Sequence, residues 1–169
     1  MALQLGHRRS IDFDFFTREK FDAYKIQQAV TDLGEYVPDQ VDEDTMLGIF
    51  KGVKISLFRY DYPLIREKVR FGSVDLASAE DIAAMKLVAI TGRSTRKDFI
   101  DLYFLVKTRF SWEQMFGFYD QKYGLLEANW LTLIKGLQYF EMADDTEMPV
   151  MLENVEWNEV KQFFKSEVV

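Results

Sequence analysis

The chain has no cysteine, one histidine and three prolines in 169 residues. The missing thiols exclude disulfides and thiolate metal centres, and His7 alone cannot build a multi-histidine zinc site. Any bound metal must therefore be held mainly by oxygen, which favours Mg²⁺ or Mn²⁺. No uninterrupted apolar run approaches the roughly 18 residues that a membrane span needs, and His7-Arg8-Arg9 arrive before any apolar segment of signal-peptide length. The expectation is a cytoplasmic protein without a membrane partner. Positive charge is also scarce, with 21 Lys and Arg against 28 Asp and Glu for a net −7. Residues 120–169 hold ten of those acids and only four bases, which leaves −1 for residues 1–119. Such a balance argues against general nucleic-acid binding, which needs clustered Lys and Arg. A local basic patch in the first two thirds remains open, drawn from residues such as Arg8, Arg9, Arg18, Lys20, Arg66, Lys68 and Arg93.

What is present is apolar and aromatic: 48% of the residues are hydrophobic and 15% of all residues are Phe, Trp or Tyr, enough to bury a core. The organising stretch is Gly6-His7-Arg8-Arg9-Ser10-Ile11-Asp12-Phe13-Asp14-Phe15-Phe16. On a strand, Ile11, Phe13 and Phe15 share one face, while Ser10, Asp12, Asp14 and Phe16 share the other. Two carboxylates on one face repel unless a cation lies between them, so Asp12 and Asp14 form a candidate Mg²⁺ site. The competing reading is an edge strand with a solvated polar face. His7 reads either as part of a phosphate site beside Arg8 and Arg9 or as a hydrogen-bonded scaffold residue.

Further along, Thr17 predicts an N-cap for a helix over 18–33, ended by Gly34. Residues 38–44 read as a polar connection. Two apolar runs around Lys51-Gly52 predict a β-hairpin whose second strand ends before Pro63. A short strand is expected near 69–74. Ser78-Ala79-Glu80-Asp81 opens a helix over 82–91 that carries Lys86 beside its apolar stripe. Gly92-Arg93-Ser94-Thr95 is a loop with groups able to meet phosphate, and the next helix, 96–107, places Asp98 and Asp101 three apart on one face. From Ser111 on the pattern is helical, over 112–122, 126–142 and 156–165. Trp112, Met115, Phe116 and Tyr119, and then Trp130, Leu133, Ile134, Leu137 and Phe140, form stripes that read as core or as a partner groove.

Four blocks in order resemble a known family: Gly6-His-Arg-Arg-Ser10-x-Asp12-x-Asp14, Gly52-Val-Lys-Ile-Ser56 with Arg59-Tyr-Asp-Tyr-Pro63, Ala79-Glu-Asp-Ile-Ala-Ala-Met-Lys86, and Arg96-Lys-Asp98-Phe-Ile-Asp101-Leu-Tyr. Together they resemble the AbiEii/AbiGii toxin nucleotidyltransferases, a branch of the polymerase-β-like nucleotidyltransferase superfamily. The resemblance implies an α+β fold, a mixed-sheet nucleotidyltransferase core over 1–108 followed by a helical region over 109–169 packed on it. It also implies Mg²⁺-dependent transfer of a nucleoside monophosphate from a nucleoside triphosphate to an acceptor such as tRNA, with an antitoxin protein as partner. Carried over residue by residue, Asp12 and Asp14 would hold metal, Ser10, Arg8 and Arg9 would line the nucleotide, and Lys86 would pair with triphosphate oxygens. Asp98 and Asp101 would orient Lys86 or help to place nucleotide or metal; alone, they read equally as surface partners of Arg96 and Lys97.

The match also has two departures. The family's Gly-Gly-Thr-Ala-like phosphate-binding block should precede Ala2-Leu-Gln-Leu-Gly6, and Met1 stands where it would end. The position of a third superfamily carboxylate falls on Ser56. An alternative reading is therefore a catalytically silent relative that binds nucleotide or protein, and the C-terminal aromatic stripes suggest a homodimer or antitoxin surface.

Overall fold

The computed structural model describes residues 1–168. They divide into two compact units: Ser10–Tyr62, and Met1–Arg9 together with the chain from Pro63 onward. The boundary expected at residue 108 falls inside the second of these, between two helices.

The Ser10–Tyr62 unit is a four-stranded mixed sheet with one helix: β1 (Asp12–Thr17), α2 (Ala23–Asp32), β2 (Tyr36–Asp42), β3 (Thr45–Phe50) and β4 (Val53–Arg59). Its strand order is β1-β4-β3-β2. β1 runs parallel to β4, with Asp12 opposite Lys54, Asp14 opposite Ser56 and Phe16 opposite Phe58. The other pairs are antiparallel. The β3–β4 turn is the expected one: Lys51 and Gly52 have φ of 47° and 80°, the two positive values that a tight turn matched to strand twist requires.

Two expectations for this unit are corrected. Thr17 does not cap a helix. It is the last residue of β1, and α2 begins only after Asp22, whose carboxylate accepts from the Lys25 N–H at 3.1 Å. Residues 36–42, expected to be largely a polar connection, form β2. Pro38 and the acids hid the strand; an edge strand tolerates a proline because one row of its N–H groups needs no partner. The register shifts between Pro38 and Gln40. Tyr36 reaches back to β3, donating to the Leu47 carbonyl at 3.0 Å, and its ring lies where a Cβ on Gly48 would be, only 2.4 Å away.

The second unit is helical, with a short hairpin: α1 (Ala2–Leu5), β5 (Val69–Phe71), β6 (Val74–Leu76), α3 (Ala79–Gly92), α4 (Arg96–Thr108), α5 (Trp112–Tyr123), α6 (Leu126–Gln138), α7 (Glu141–Asp144) and α8 (Trp157–Glu167). Ser78 caps α3 and Ser111 caps α5, as their capping patterns predict. The helix expected over 126–142 stops at Tyr139, which turns extended and leaves α7 as a separate turn. The aromatic stripes are core in the main: Met115, Leu133, Leu137 and Phe164 are fully buried, and Phe99 packs against Phe140, Trp157 and Phe164. Trp130 departs from its stripe and is 42% exposed. α4 is the central helix, buried continuously from Asp98 to Leu105. Two aspartates in that run need partners, since a charge removed from water is costly unless it is paired.

Candidate active site

Asp98 and Asp101 find those partners within their own unit. Lys86, from α3, is 2.7 Å from Asp98 Oδ1 and 2.7 Å from Asp101 Oδ2, and only 12% of its side chain is exposed. Arg8 donates to Asp101 through Nε at 2.7 Å and through a terminal nitrogen at 2.9 Å. The His7 ring, wholly buried, shares the first of those oxygens through Nε2 at 2.8 Å and lies 4.7 Å from the Phe104 ring. Asp98 is held by Arg93 through two contacts of 3.1 Å and by the Thr95 hydroxyl at 2.6 Å, so the same carboxylate closes the capping box of α4. Arg96, one of the expected surface partners, goes elsewhere: it donates to the Ala143 and Asp144 carbonyls.

The charges of this cluster are unequal. Three cations, Arg8, Lys86 and Arg93, face two carboxylates, Asp98 and Asp101. Burial would raise both carboxyl pKa values, but it is outweighed. The Lys86 ammonium and the Arg93 guanidinium hold Asp98 at about 2. Lys86, Arg8 and His7 hold Asp101 well below the usual carboxylate range. Both acids stay ionised at neutral pH, and the cluster carries one net positive charge.

The segment bearing His7 and Arg8 is fixed by its backbone too. The His7 carbonyl accepts from the Leu152 and Glu153 N–H groups, and the Arg9 N–H donates to the Val150 carbonyl. Sequence reasoning left His7 between two roles; its burial and its bond to Asp101 make it a scaffold residue here. Arg9 is exposed, and its carbonyl accepts from Arg8.

In the Ser10–Tyr62 unit the strand reading of the carboxylate pair holds. Asp12 is half-buried and Asp14 exposed, on the edge strand β1. Their Cα atoms lie two residues apart on one face, roughly 7 Å by strand rise. Ser56, opposite Asp14, is buried at 4% exposure, which limits it as a substitute for a third carboxylate. Ser10 is exposed at the start of the unit. Among the described residues no group of three or more His, Cys, Asp or Glu side chains could hold a metal. A metal at Asp12 and Asp14 would have two carboxylates as its protein donors. That suits Mg²⁺, which usually takes one or two carboxylates and fills its remaining positions with water and substrate phosphate.

The expected site residues therefore fall into two groups: Arg8, Arg9, Lys86, Asp98 and Asp101 in one unit, and Ser10, Asp12 and Asp14 in the other. Sequence reasoning missed a further buried ion pair. Lys122 donates to Asp81 at 2.7 Å and to the Pro63 carbonyl at 2.7 Å, while Asp81 also accepts from Ser78 and from the Ile65 and Arg66 N–H groups. A lysine in an amphipathic helix gives no sequence signal for such a role.

A family model described as "Nucleotidyl transferase AbiEii toxin, Type IV TA system" matches residues 61–165, more than half of the chain. The chain belongs to the AbiEii nucleotidyl transferase toxin family. The match takes in Lys86, Asp98 and Asp101, while Asp12 and Asp14 lie outside it. A full-span relative of this AbiEii chain, "Uncharacterized protein aq_aa25" of Aquifex aeolicus (strain VF5), is 35% identical over 176 residues, covering 99% of the chain and 82% of the relative. The fold is that of two solved structures. JHP933 from Helicobacter pylori superposes with a TM-score of 0.52 at 14% identity, covering 95% of this chain and 75% of that one. An H. pylori protein called a "putative nucleotidyltransferase" gives 0.51 at 14% identity, covering 99% and 81%. Among the described residues of the AbiEii chain no helix is long and apolar enough to cross a membrane.

Proposed function

We propose that this AbiEii chain transfers a nucleoside monophosphate from a nucleoside triphosphate to an acceptor, with Mg²⁺ held by Asp12 and Asp14. The observation that carries this reading is the carboxylate pair itself: two acids on one strand face, at least one of them open to solvent, in a chain whose family is named for nucleotidyl transfer. Asp12 and Asp14 would hold the metal, which would supply positive charge to stabilise a triphosphate. Ser10, next to this strand, is suited to donate a hydrogen bond to the same phosphates.

The second group supports anion binding. Its surplus positive charge favours a triphosphate, and Lys86, with its ammonium shared by two carboxylates, keeps a third N–H for a phosphate oxygen. In this reading Asp98 and Asp101 orient Lys86 rather than bind metal, because their oxygens are already occupied by cations. Arg8 is committed to Asp101, so of the two arginines Arg9 is the one available to nucleotide. A 3′ end of tRNA is the acceptor we favour, an antitoxin is the expected genetic partner, and the cytoplasm supplies both triphosphate and RNA.

The test is incubation of the chain with each labelled triphosphate, total tRNA and Mg²⁺ or Mn²⁺. We expect label on RNA, none of it after chelation, and a fall on the order of 10²–10³-fold in Asp12→Ala, the range seen when one strong charge-stabilising group is removed from an active site. Equal labelling by wild type and Asp12→Ala would sink the assignment.

A further inference from the structure

The sheet face that carries Asp12 and Asp14 does not end with them. Phe16 follows on the same face of β1, opposite Phe58 of β4, and their rings stack at 5.7 Å between centroids. Phe16 also meets Tyr60 edge-on at 5.4 Å, and Tyr60 contacts Tyr62 at 5.1 Å. Four aromatic rings thus form one connected row within the Ser10–Tyr62 unit. Two of its members, Phe16 within the row and Tyr62 at its end, are each 44% exposed, far more than a core ring.

We propose that the row Phe58–Phe16–Tyr60–Tyr62 is a stacking platform for a nucleobase. The inference rests on the nucleotidyl-transfer reading and adds to it the groups that hold a substrate base. Three observations favour a base over an apolar protein segment. Phe16 is only two residues, roughly 7 Å, beyond Asp14 on the same strand face, so a phosphate held at the carboxylate pair leaves its base within reach of the rings. The rings lock one another, so a planar ligand meets a surface with little left to order. Arg18 and Lys20, both exposed with Glu19 between them, come directly after β1 and supply the cationic component that stacking sites for single strands combine with aromatic rings. The base could belong to the triphosphate or to an unpaired end of the acceptor; stacking serves both, because every base has a π-face.

The test titrates the whole chain with two probes whose fluorescence reports stacking: 2-aminopurine riboside triphosphate with Mg²⁺, and a short single-stranded RNA carrying 2-aminopurine at its 3′ end. Tripolyphosphate with Mg²⁺ is the base-free control. Phe16→Leu and Tyr62→Leu are expected to bind at least one base-bearing probe about tenfold more weakly, to bind tripolyphosphate as wild type does, and Phe16→Tyr should restore the loss. Weakening confined to the triphosphate assigns the platform to the donor base, and weakening confined to the RNA assigns it to the acceptor end. Wild-type affinity of both leucine variants for both probes, or a wild type that binds neither, overturns the proposal; so does an equal loss for tripolyphosphate. Thermal melting checks the fold, and if Phe16→Leu does not fold, Tyr62→Leu decides. Failure of nucleotidyl transfer itself would look different: no label on RNA, with base binding that still depends on Phe16.

Discussion

The chain uses aspartate pairs in two opposite ways. Asp98 and Asp101 stand three apart on a helix, fully buried, with Lys86, Arg8, Arg93 and His7 closed around them. Asp12 and Asp14 stand two apart on an edge strand, half-buried and exposed. The first pair has exchanged its hydration for fixed cations, and little oxygen is left for a ligand. The second pair keeps more access to solvent, with Asp12 opposite Lys54 and Asp14 opposite Ser56 on the neighbouring strand. Identical functional groups thus meet different surroundings by where the backbone puts them: the buried pair is closed in by cations, and the strand pair keeps an edge open to solvent.

The largest separation between the two pairs is expected in stability. Asp101→Ala leaves Arg8 and Lys86 facing each other in a buried site without their shared counter-charge, and breaking a buried pair in this way costs about 3–5 kcal/mol. Asp14→Ala removes an exposed side chain and should stay within about 0.5 kcal/mol of wild type. Urea denaturation of the two variants measures the difference directly, while the labelling assay should reverse the order, with Asp14→Ala folded but inactive. Similar midpoints for the two would break the comparison.

Much of this was legible in the sequence for a definite reason: short-range geometry is written in spacing. The same-face placement of Asp98 with Asp101, and of Asp12 with Asp14, follows from helical and strand periods, and the Lys51-Gly52 turn from a residue type suited to positive φ. What spacing could not supply was partners distant in sequence. His7 and Arg8 reach Asp101 across 94 and 93 residues, and Lys122 reaches Asp81 across 41. Nothing local marks such pairs, so His7 stayed ambiguous and Lys122 went unnoticed. β2 was obscured differently, because the Pro38 and acidic residues that protect an edge strand also read as a loop. Arg96 drew attention as a neighbour of the motif acids, yet packing sent it to carbonyls at the far side of its helix.

Acid should expose the buried pair next. Asp98 titrates at 3.8 in a free chain and at about 2 in the fold. A depressed folded pKa gives stability that is fully present above the unfolded value and is lost as pH falls through the folded one. The shift corresponds to about 2 kcal/mol. Stability measured by urea at a series of pH values should therefore be level through neutral pH and fall between about pH 4 and pH 2. Asp101, lowered in the same direction, extends the fall further into acid. Asp98→Asn should start less stable and lose about 2 kcal/mol less over the same interval. An unchanged acid limb would show that Asp98 is not the group being protonated.

The smallest effect separates the two cations on Asp98 itself. Lys86 is almost enclosed, whereas 57% of the Arg93 side chain is exposed although its contacts of 3.1 Å are well formed. Water screens an exposed guanidinium, so Arg93→Ala should cost no more than about 1 kcal/mol, even though Arg93 contacts Asp98 twice where Lys86 contacts it once. Lys86→Met removes a cation from between two buried carboxylates and belongs with the 3–5 kcal/mol class of about the Asp101→Ala size. A double-mutant cycle of Arg93→Ala with Asp98→Asn gives the coupling directly. A coupling near that of Lys86 would mean that Arg93 is part of the buried cluster rather than its solvent-side rim.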